Sequence, residues 1–359
     1  MPGVATGDEL SAEARAAVRV VRINLPLRHP HVAAHGVEST RDLLLVRVTR
    51  PDGFVGWGEC PTLTDRGYGT ETTELAWAAL VEGGELGPMA AGALADAQLD
   101  ASLRAGGRSL AAWIDTRLGD PVRRSPGSVP FGEVFGLDRM PTAPAGFVKL
   151  KITPTTVERL RTVRDRYPQL SIAADANGSF GSVEAVPTWL DDIGLAYLEQ
   201  PFAPDDLIGH AQLRSRGRTP IALDESIATV DDLAAAAALG ALDVVSLKPA
   251  RVGGVESAVA LLARARGLGL GAFVGGMLES AIGRAGALAL AATRGINLPT
   301  DLGPSSRYFE TDVADAIVEV DGRLVVPEGP GIGRVPDPDR LAELTVTAAD
   351  LAGAHLQPG

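Results

Sequence analysis

Hydrophobic residues fall into short runs that predict two differently built parts of the chain. Residues 18–27 and 42–50 are rich in Val, Leu and Ile, and a Pro-Asp-Gly turn at 51–53 separates the second run from a third one, FVGWGEC. Three strands connected in this way predict a small antiparallel sheet. Apolar residues then recur with helical spacing in three segments, 71–80, 89–106 and 109–119.

After residue 128 the pattern changes to short apolar segments that alternate with helical ones. Eight segments are candidate strands: 128–136, 147–152, 170–176, 195–201, 220–226, 243–249, 270–276 and 295–303. Alternation of this kind predicts a parallel sheet with crossover helices. Eight such units predict a closed barrel, so the expected class is α/β, a modified (β/α)8 TIM barrel.

Domain boundaries follow from the polar segment 120–128, which contains two prolines. We expect an α+β capping domain over 1–125, a β/α barrel over 126–302, and a C-terminal segment over 303–359. Asp321-Gly322 predicts a hairpin turn between two strands in that last segment, which is expected to return to the capping domain and complete it.

The segment 27–42 joins two early strands and is predicted to be a long loop that could act as a lid over a substrate. It holds three of the five histidines, His29, His31 and His35. These side chains either contact a substrate carboxylate or are solvated, as loop side chains usually are.

Charged residues interrupt five of the predicted strands near their carboxyl ends: Lys151, Asp175, Glu199, Asp224 and Lys248. Successive members are separated by 24, 24, 25 and 24 residues. Such regular spacing indicates that each residue holds the same place in its own βα unit, and in a barrel those places surround the mouth where active sites lie. A single strand-end acid often caps the following helix, but that explanation does not account for five charges in register.

The three acids of this set predict a metal site. Asp175, Glu199 and Asp224 would repel one another unless a cation lay between them. Ligands that are all oxygen suit a hard divalent ion, so we expect Mg²⁺, with Mn²⁺ as a substitute. Cysteine and histidine are absent from the strand ends, which argues against zinc.

The two lysines of the set predict the reaction. Lys151 and Lys248 flank the acids and would face each other across the mouth, where a nearby cation favours the neutral form of an amine and makes it usable as a base. Opposed lysines beside Mg²⁺ suit the removal of a proton α to a carboxylate, because the cation stabilises the enediolate that results.

Further side chains near these strand ends are candidates for support. Lys149 shares a strand face with Lys151 and is either a helper of the base or a structural partner of a carboxylate. Asn177 is either a hydrogen-bond donor to the site or a turn residue, and Arg251 either favours the neutral form of a neighbouring lysine or forms a surface ion pair. Three residues after the seventh strand are expected to line the substrate pocket: Gly276, Met277 and Leu278.

Composition limits the partners that such a site can have. The formal net charge of −12 argues against nucleic acid. No apolar run approaches the length needed to span a bilayer, and the first residues do not read as a leader, so a cytoplasmic protein without membrane partners is expected. The single cysteine, Cys60, excludes an intramolecular disulfide. The expected partner is a small-molecule carboxylate. The sequence is compatible with a homo-oligomer and does not decide the oligomeric state.

The motifs together resemble the enolase superfamily, in its muconate-lactonizing-enzyme subgroup. The resemblance covers nearly the whole chain and rests on GWGEC, KLK, DAN, EQP, LDES, KPARVGG and GGMLESAIGR. Within the subgroup the chain is most similar to the o-succinylbenzoate synthases and the related N-succinylamino acid racemases, through RDLLLVRV, GWGECPT with ETTELAW, GGMLES with Arg284, and SSRYFETDV.

This resemblance implies roles for individual residues. It implies metal ligands at Asp175, Glu199 and Asp224, a base at Lys151 that removes the α-proton, and a cation at Lys248 that stabilises the intermediate. It implies a synthase that makes 2-succinylbenzoate, a menaquinone precursor, by syn-dehydration of 2-succinyl-6-hydroxy-2,4-cyclohexadiene-1-carboxylate.

Alternatives to the synthase differ in how the lysines are used. The first alternative is racemisation of N-acylated, for example N-succinylated, amino acids by the two facing lysines. A more distant alternative is a metal-binding barrel without catalytic activity. Mandelate-racemase-like chemistry is disfavoured because no histidine lies at a late strand end. Dipeptide epimerisation is disfavoured because Asp301 lacks the second acid that such epimerases carry two residues later.

Overall fold

The computed structural model describes residues 16–33, 36–63, 71–119, 127–137, 139–142 and 146–351, and of residues 30–33 and 36–38 only the backbone. The first elements are three strands and three helices: β1 Ala17–Ala33, β2 Gly36–Thr49, β3 Val55–Cys60, α1 Thr73–Val81, α2 Pro88–Ala105 and α3 Leu110–Arg117. Strands β1, β2 and β3 pair antiparallel, which confirms the predicted small sheet.

Strand β2 is apolar on both faces because two hydrophobic cores meet on this sheet. Leu43 and Leu45 belong to the main core of the molecule, whereas Leu44 and Val46 pack with residues of α1 and α2. All four side chains are fully buried. Since side chains of a strand alternate between its faces, an unbroken apolar run here indicates a strand that is covered on both sides.

The segment 27–42, predicted as a long loop, is instead mostly a continuation of the β1–β2 hairpin. Pairing is interrupted after Pro26 and then resumes as far as Ala33 opposite Gly36. Pro30, the one proline of this segment, lies in the stretch where pairing is interrupted, and a proline is tolerated where the strand ladder is irregular. The loop prediction is therefore wrong for the described part of the segment.

The histidines of this hairpin are only partly described. His29 is exposed, the side chain of His31 is not described, and His35 lies outside the described residues. Their contact with a substrate carboxylate accordingly stays a prediction.

Helix α2 approaches β3 closely because two glycines leave room for its backbone. A Cβ atom at Gly56 would overlap the carbonyl oxygen of Ala97, and one at Gly58 would overlap that of Ala93. The two glycines of GWGEC are thus explained by helix–strand packing. The first turn of α2 is capped from outside the helix, since the Glu71 carboxylate accepts hydrogen bonds from two of its N–H groups.

The second part of the chain is a seven-stranded parallel sheet with helices between the strands. Strand β4 Ser128–Pro130 precedes this sheet and lies outside it. The seven strands of the sheet are β5 Glu133–Phe135, β6 Phe147–Lys151, β7 Ser171–Asp175, β8 Leu198–Glu199, β9 Ile221–Leu223, β10 Val244–Leu247 and β11 Gly271–Val274. The helices are α4 Arg159–Arg166, α5 Leu190–Ile193, α6 Leu207–Arg216, α7 Val230–Leu239, α8 Val255–Gly267 and α9 Ala281–Ala291. Strands β5 to β11 pair in chain order, which confirms the predicted strand–helix alternation.

Two of the eight predicted barrel strands differ from the prediction. The segment 128–136 is divided into β4 and β5, and β4 joins a different, antiparallel sheet. The segment 295–303 is not a regular strand, since it forms one isolated parallel bridge between Thr300 and Phe131. Pro299 lies inside this segment and has no N–H to donate to a ladder.

Segment 295–303 nevertheless makes backbone hydrogen bonds in two directions. Gly132 N donates to Thr300 O at 2.8 Å, next to β5. On the other side, Asn297 N donates to Ala272 O of β11 at 3.2 Å. The segment therefore lies between the first and last strands of the parallel sheet, although it does not itself form a ladder.

The last elements are β12 Glu319–Val320, β13 Arg323–Val325, α10 Pro338–Leu344 and β14 Thr345–Leu351. Asp321 and Gly322 both have positive φ and connect β12 to β13, which confirms the predicted hairpin. Strand β14 pairs with β1, with Leu351 opposite Val18. The division of the chain at residues 125 and 302 into three domains stays a prediction. Among the described residues, no helix has the length and apolar composition that crossing a membrane requires.

A buried carboxylate connects the first sheet to helix α9. Glu59, on β3, accepts hydrogen bonds from the N–H groups of Ser280 and Gly283, each at 2.9 Å, and from the Ser280 hydroxyl. Burial raises the pKa of Glu59 to about 7 against the lowering effect of these hydrogen bonds, and the nearby Glu279 carboxylate adds to the rise. Both carboxylates line a cavity of about 30 Å³ between the first sheet and helices α8 and α9.

Replacing Glu59 by Gln should flatten the pH dependence of stability. The folded-state pKa of Glu59 is about 7, above its ordinary value of 4.5, so the folded state holds the proton that the unfolded chain releases. The free energy of unfolding of the parent protein should therefore fall by about 3 kcal/mol between about pH 4.5 and pH 7 through this group. Urea denaturation of both proteins at several pH values measures the difference, and parallel profiles would contradict the assignment.

Candidate active site

The five charged residues predicted from the spacing lie at the carboxyl ends of five adjacent strands. Lys151, Asp175 and Glu199 are the last residues of β6, β7 and β8, with Lys151 opposite Asp175 and Asp175 opposite Glu199. Asp224 and Lys248 directly follow β9 and β10. Residues at the same level of a parallel sheet share one edge, so the structure brings all five together where active sites of β/α folds lie.

Lysine occurs in this chain only at that edge. The sequence contains three lysines, Lys149, Lys151 and Lys248, against 30 arginines. An arginine keeps its charge at any pH that proteins experience, whereas a lysine can lose its proton and serve as a base. Lys151 and Lys248, which hold two of the five strand-end positions, therefore carry the type of side chain that a base requires.

Asp224 is held by two cations. It is buried, and it accepts hydrogen bonds from Lys248 Nζ at 2.7 Å and from Arg251 Nη2 at 2.9 Å. Burial alone would raise the pKa of Asp224, but Lys248 and Arg251 outweigh that effect and hold the pKa well below its usual range. Arg251 is itself buried and also donates to Ile227 O, so the surface ion pair considered for it is wrong.

Lys149, whose partner could not be derived from the sequence, contacts two carboxylates. Its Nζ lies 2.8 Å from Glu199 Oε2 and also contacts Asp301 Oδ2. Burial would lower the pKa of Lys149, but Asp301 and Glu199 raise it well above its ordinary value. These ion pairs favour the interpretation of Lys149 as a structural cation that neutralises acids inside the sheet.

Lys151 has a different environment. It is partly exposed, and its Nζ donates to Asn177 Oδ1 at 2.9 Å. Asn177 has a positive φ of 42°, donates its backbone N–H to Asp175 Oδ1 at 3.1 Å and donates its side-chain amide to Glu225 Oε1 at 3.1 Å. Asn177 is therefore both a turn residue and a hydrogen-bond partner of Lys151, and the two interpretations of it are compatible.

Gln200 supports the turn that carries Asp224. The sequence patterns did not predict this role. It is fully buried and has a positive φ of 41°. Its Oε1 accepts hydrogen bonds from the backbone N–H groups of Asp224 and Ser226, and its amide donates to Ser226 Oγ and to Phe202 O. One side chain thus fixes the turn that carries Asp224.

The three predicted pocket residues have distinct positions. Gly276 donates its N–H to Asp301 Oδ1 at 2.9 Å. The Met277 side chain is packed in the apolar cluster between the first sheet and α2, and its carbonyl accepts a hydrogen bond from Arg41 at 3.1 Å. Leu278 has a positive φ of 58°, which is rare for such a residue. The contact of these residues with a substrate stays a prediction.

The donor atoms of the three acids suit a hard divalent cation. Asp175, Glu199 and Asp224 are buried carboxylates, and Glu199 Oε1 has no hydrogen-bond partner among the described residues. An unsatisfied buried acceptor of this kind is costly and would be satisfied by a cation. In the part of the chain that the structure describes, no three Asp, Glu, His or Cys side chains are arranged to hold a metal ion. Two of the three carboxylates are paired with lysines, Glu199 with Lys149 and Asp224 with Lys248.

A comparison with protein families identifies the family of the chain. Residues 142–340 match the family model described as enolase C-terminal domain-like, which is more than half of the chain. The chain belongs to the enolase superfamily. The resemblance drawn from the motifs is therefore confirmed.

Several curated enolase-superfamily relatives span most of the chain. An N-succinylamino acid racemase from an Amycolatopsis species is 37% identical and covers 91% of this chain and 96% of its own length. An o-succinylbenzoate synthase from Geobacillus stearothermophilus is 33% identical and covers 87% of this chain and 90% of its own length. The racemase and the synthase are thus similar to this chain over nearly the same share of its length.

Solved structures of the superfamily agree with the architecture. A superfamily member from Listeria innocua Clip11262 has a TM-score of 0.85 at 28% identity, over 95% of this chain and 99% of that one. A muconate lactonizing enzyme from Pseudomonas fluorescens has a TM-score of 0.80 at 22% identity, over 92% and 100%. The second likeness concerns the fold alone.

The residues that sequence reasoning missed carry weak signals. Gln200 and Glu225 directly follow members of the 24-residue register and lie inside the motifs EQP and LDES, but neither signal indicated their hydrogen-bond partners. Asp301 was noticed only as an acid without a second one nearby. Its contact with Lys149 spans 152 positions of the chain, a separation over which local patterns have no information.

Replacing Asp301 by Leu should lower the free energy of unfolding by about 2–4 kcal/mol. The substitution removes one of two carboxylates from buried Lys149 and leaves the Gly276 N–H without its acceptor. Asp301→Asn should cost less, because its amide oxygen can still accept one of the two hydrogen bonds. Urea denaturation near pH 7 measures both variants, with Asp315→Leu, at a well-exposed side chain, as the control. Equal losses for Asn and Leu would rule out this explanation.

Proposed function

We propose that this enolase-superfamily chain is an o-succinylbenzoate synthase. It would convert 2-succinyl-6-hydroxy-2,4-cyclohexadiene-1-carboxylate to 2-succinylbenzoate by Mg²⁺-dependent syn-dehydration. The observation that carries the proposal is the order of charges at five adjacent strand ends, with a lysine on each side of three carboxylates. The similarity to curated synthases along most of the chain supports this choice of substrate.

Lys151 is proposed as the base. It is the most accessible of the three lysines, and the Asn177 side chain fixes the direction of its amine. The C–H bond α to the carboxylate breaks and its proton passes to Lys151 Nζ, while the electron pair moves toward the carboxylate. The neighbouring C–O bond then breaks, and the leaving hydroxide takes the proton from Lys151 and departs as water.

The remaining charges stabilise the negative charge that develops on the substrate. Lys248, held near Asp224, contributes a cation on the other side of the acids. Asp175, Glu199 and Asp224 would hold Mg²⁺, which when bound supplies positive charge beside the substrate carboxylate. Lys149 offsets part of the negative charge of Glu199 and Asp301, with which it pairs.

The proposal includes a closed barrel. The backbone hydrogen bonds of segment 295–303 to β11 on one side and to Gly132 on the other support closure of the seven-stranded sheet through this segment. The pairing of β14 with β1 supports a capping domain that the C-terminal segment completes.

Turnover of the diene substrate tests the synthase directly. With Mg²⁺ present, the protein should produce 2-succinylbenzoate, measured by absorbance and mass spectrometry, and a rate equal to the spontaneous one would reject the proposal. Lys151→Ala and Lys151→Arg should each lower kcat by about 10²- to 10⁴-fold, because neither side chain can act as the base. Arg218→Ala, at an exposed ion pair, should retain the parental rate.

A second candidate is racemisation of N-succinylated amino acids. It is favoured by the two lysines on opposite sides of the acids and by the similarity to the Amycolatopsis racemase. In D₂O, both enantiomers of an N-succinyl amino acid should then exchange their α-hydrogen, as followed by NMR. Exchange with neither enantiomer of any N-acyl amino acid tested would exclude it. Absence of both activities would leave the non-catalytic metal-binding barrel.

Metal dependence can be tested by binding as well as by turnover. Chelation should abolish activity, and Mg²⁺ or Mn²⁺ should restore it. Titration with Mn²⁺, followed by EPR, should give one tight site per chain that is weakened at least about tenfold in Glu199→Gln and in Asp224→Asn, since each variant loses a charged ligand. Asp205→Asn, at an exposed side chain, is the control. Unchanged binding in both ligand variants would refute the assignment.

A further inference from the structure

Lys248 reaches its position across a residue that has no side chain. Strands β10 and β11 pair in parallel up to Leu247 opposite Val274, and Gly275 N donates to Leu247 O at 2.9 Å. Gly275 is therefore the neighbour of Lys248 on the next strand. A Cβ atom at Gly275 would lie 2.8 Å from Lys248 Cε and 3.0 Å from Lys248 Cγ. The alkyl chain of Lys248 thus lies directly on the bare α-carbon of Gly275.

Backbone conformation does not explain glycine at this position. Gly275 is not among the described glycines with positive φ, so alanine is compatible with its backbone. The third near atom is Ser246 Oγ, at 3.1 Å from the same point, and backbone atoms are not among the three nearest. Gly58 of β3 differs, since a Cβ atom there would overlap the backbone of α2.

The space that a side chain at Gly275 would need is occupied by the side chains of Lys248 and Ser246. Ser246 precedes Lys248 by two residues on β10, so both side chains point to the same face of the sheet. Ser246 is fully buried, and a Cβ atom at Gly275 would meet both side chains. Any side chain at Gly275 would consequently push the Lys248 chain away from its present path to Asp224.

We infer that Gly275 is a positioning residue for Lys248, because its missing side chain sets the path by which the Lys248 ammonium reaches the acids. The effect on structure is independent of any reaction. The effect on rate rests on the proposed use of Lys248 as the partner of Lys151. Gly275→Ala should therefore displace the amine of Lys248 while the fold is retained, since the atoms it meets belong to flexible side chains.

The rarity of lysine allows this displacement to be observed directly. Labelling with lysine enriched in ¹³C at Cε should give three signals, from Lys149, Lys151 and Lys248, which single Lys→Arg variants assign. In Gly275→Ala, the Lys248 signal should shift clearly more than the other two. An unchanged Lys248 signal, or equal shifts of all three, would overturn the inference whatever the protein catalyses.

A double-mutant cycle gives a second test that does not need activity. Gly275→Ala should lower the midpoint of urea unfolding in the parent protein and lower it less in a Lys248→Ala background, where the two atoms nearest to the new methyl group are gone. Gly286→Ala is the matched control, because its Cβ would lie 3.6 Å from Val255 Cγ2, an ordinary contact. An equal effect of Gly275→Ala in both backgrounds would contradict the inference.

Hydrogen exchange in D₂O distinguishes positioning from a general structural defect. If the parent protein exchanges both enantiomers of an N-succinyl amino acid, Gly275→Ala should slow the enantiomer served by Lys248 by about 10- to 100-fold and leave the other nearly unchanged. Equal slowing of both would overturn the inference. Exchange with neither enantiomer in the parent protein would count against racemisation only, and the lysine signals and the unfolding cycle would still decide the role of Gly275.

Discussion

The ion pairs between buried lysines and buried carboxylates are the interaction on which the rest of this structure depends. An ammonium or a carboxylate inside a sheet is costly unless an opposite charge lies beside it. Lys149 contacts Glu199 and Asp301, and Lys248 contacts Asp224. Lys149 on β6 pairs with Glu199 on β8, and Lys248 after β10 pairs with Asp224 after β9, so the charges that suit the site to proton transfer also link strands at their carboxyl ends.

The segment between β11 and α9 is held from three directions by parts of the chain that are far away in sequence. Asp301 accepts from Gly276 N, Arg41 donates to Met277 O, and Glu59 accepts from Ser280. Two of these three residues, Arg41 and Glu59, come from the first sheet. The first sheet therefore takes part in fixing the segment that follows β11, next to Lys248.

The sequence predicted what repeats and missed what depends on distant contacts. The strand–helix alternation and the 24-residue register were visible because each βα unit repeats the same local pattern, and this was enough to locate Lys151, Asp175 and Glu199 at one edge. The ion pair of Lys149 with Asp301 joins β6 to segment 295–303. No local sequence pattern encodes a contact between residues so far apart in the chain. The segment 27–42 continues an irregular hairpin, while Pro299 has no N–H for the strand ladder that the repeat predicted. In both segments, the hydrogen bonds available to the backbone N–H and C=O groups from adjacent strands decided whether a strand formed.

The pairing of β14 with β1 has a consequence for biosynthesis. Residue 18 lies opposite residue 351, so the strand pair joins the two ends of the described chain. Buried Asp100 makes a second link of this kind, because it accepts hydrogen bonds from the backbone of Trp57 in the first part of the chain and of Ile332 near its end. While the chain is emerging from the ribosome, the edge of β1 that pairs with β14 in the described fold lacks that partner until residues 345–351 have been made. An uncovered edge of this kind invites pairing with other chains, so we expect the nascent protein to be open to aggregation through β1 for most of its synthesis.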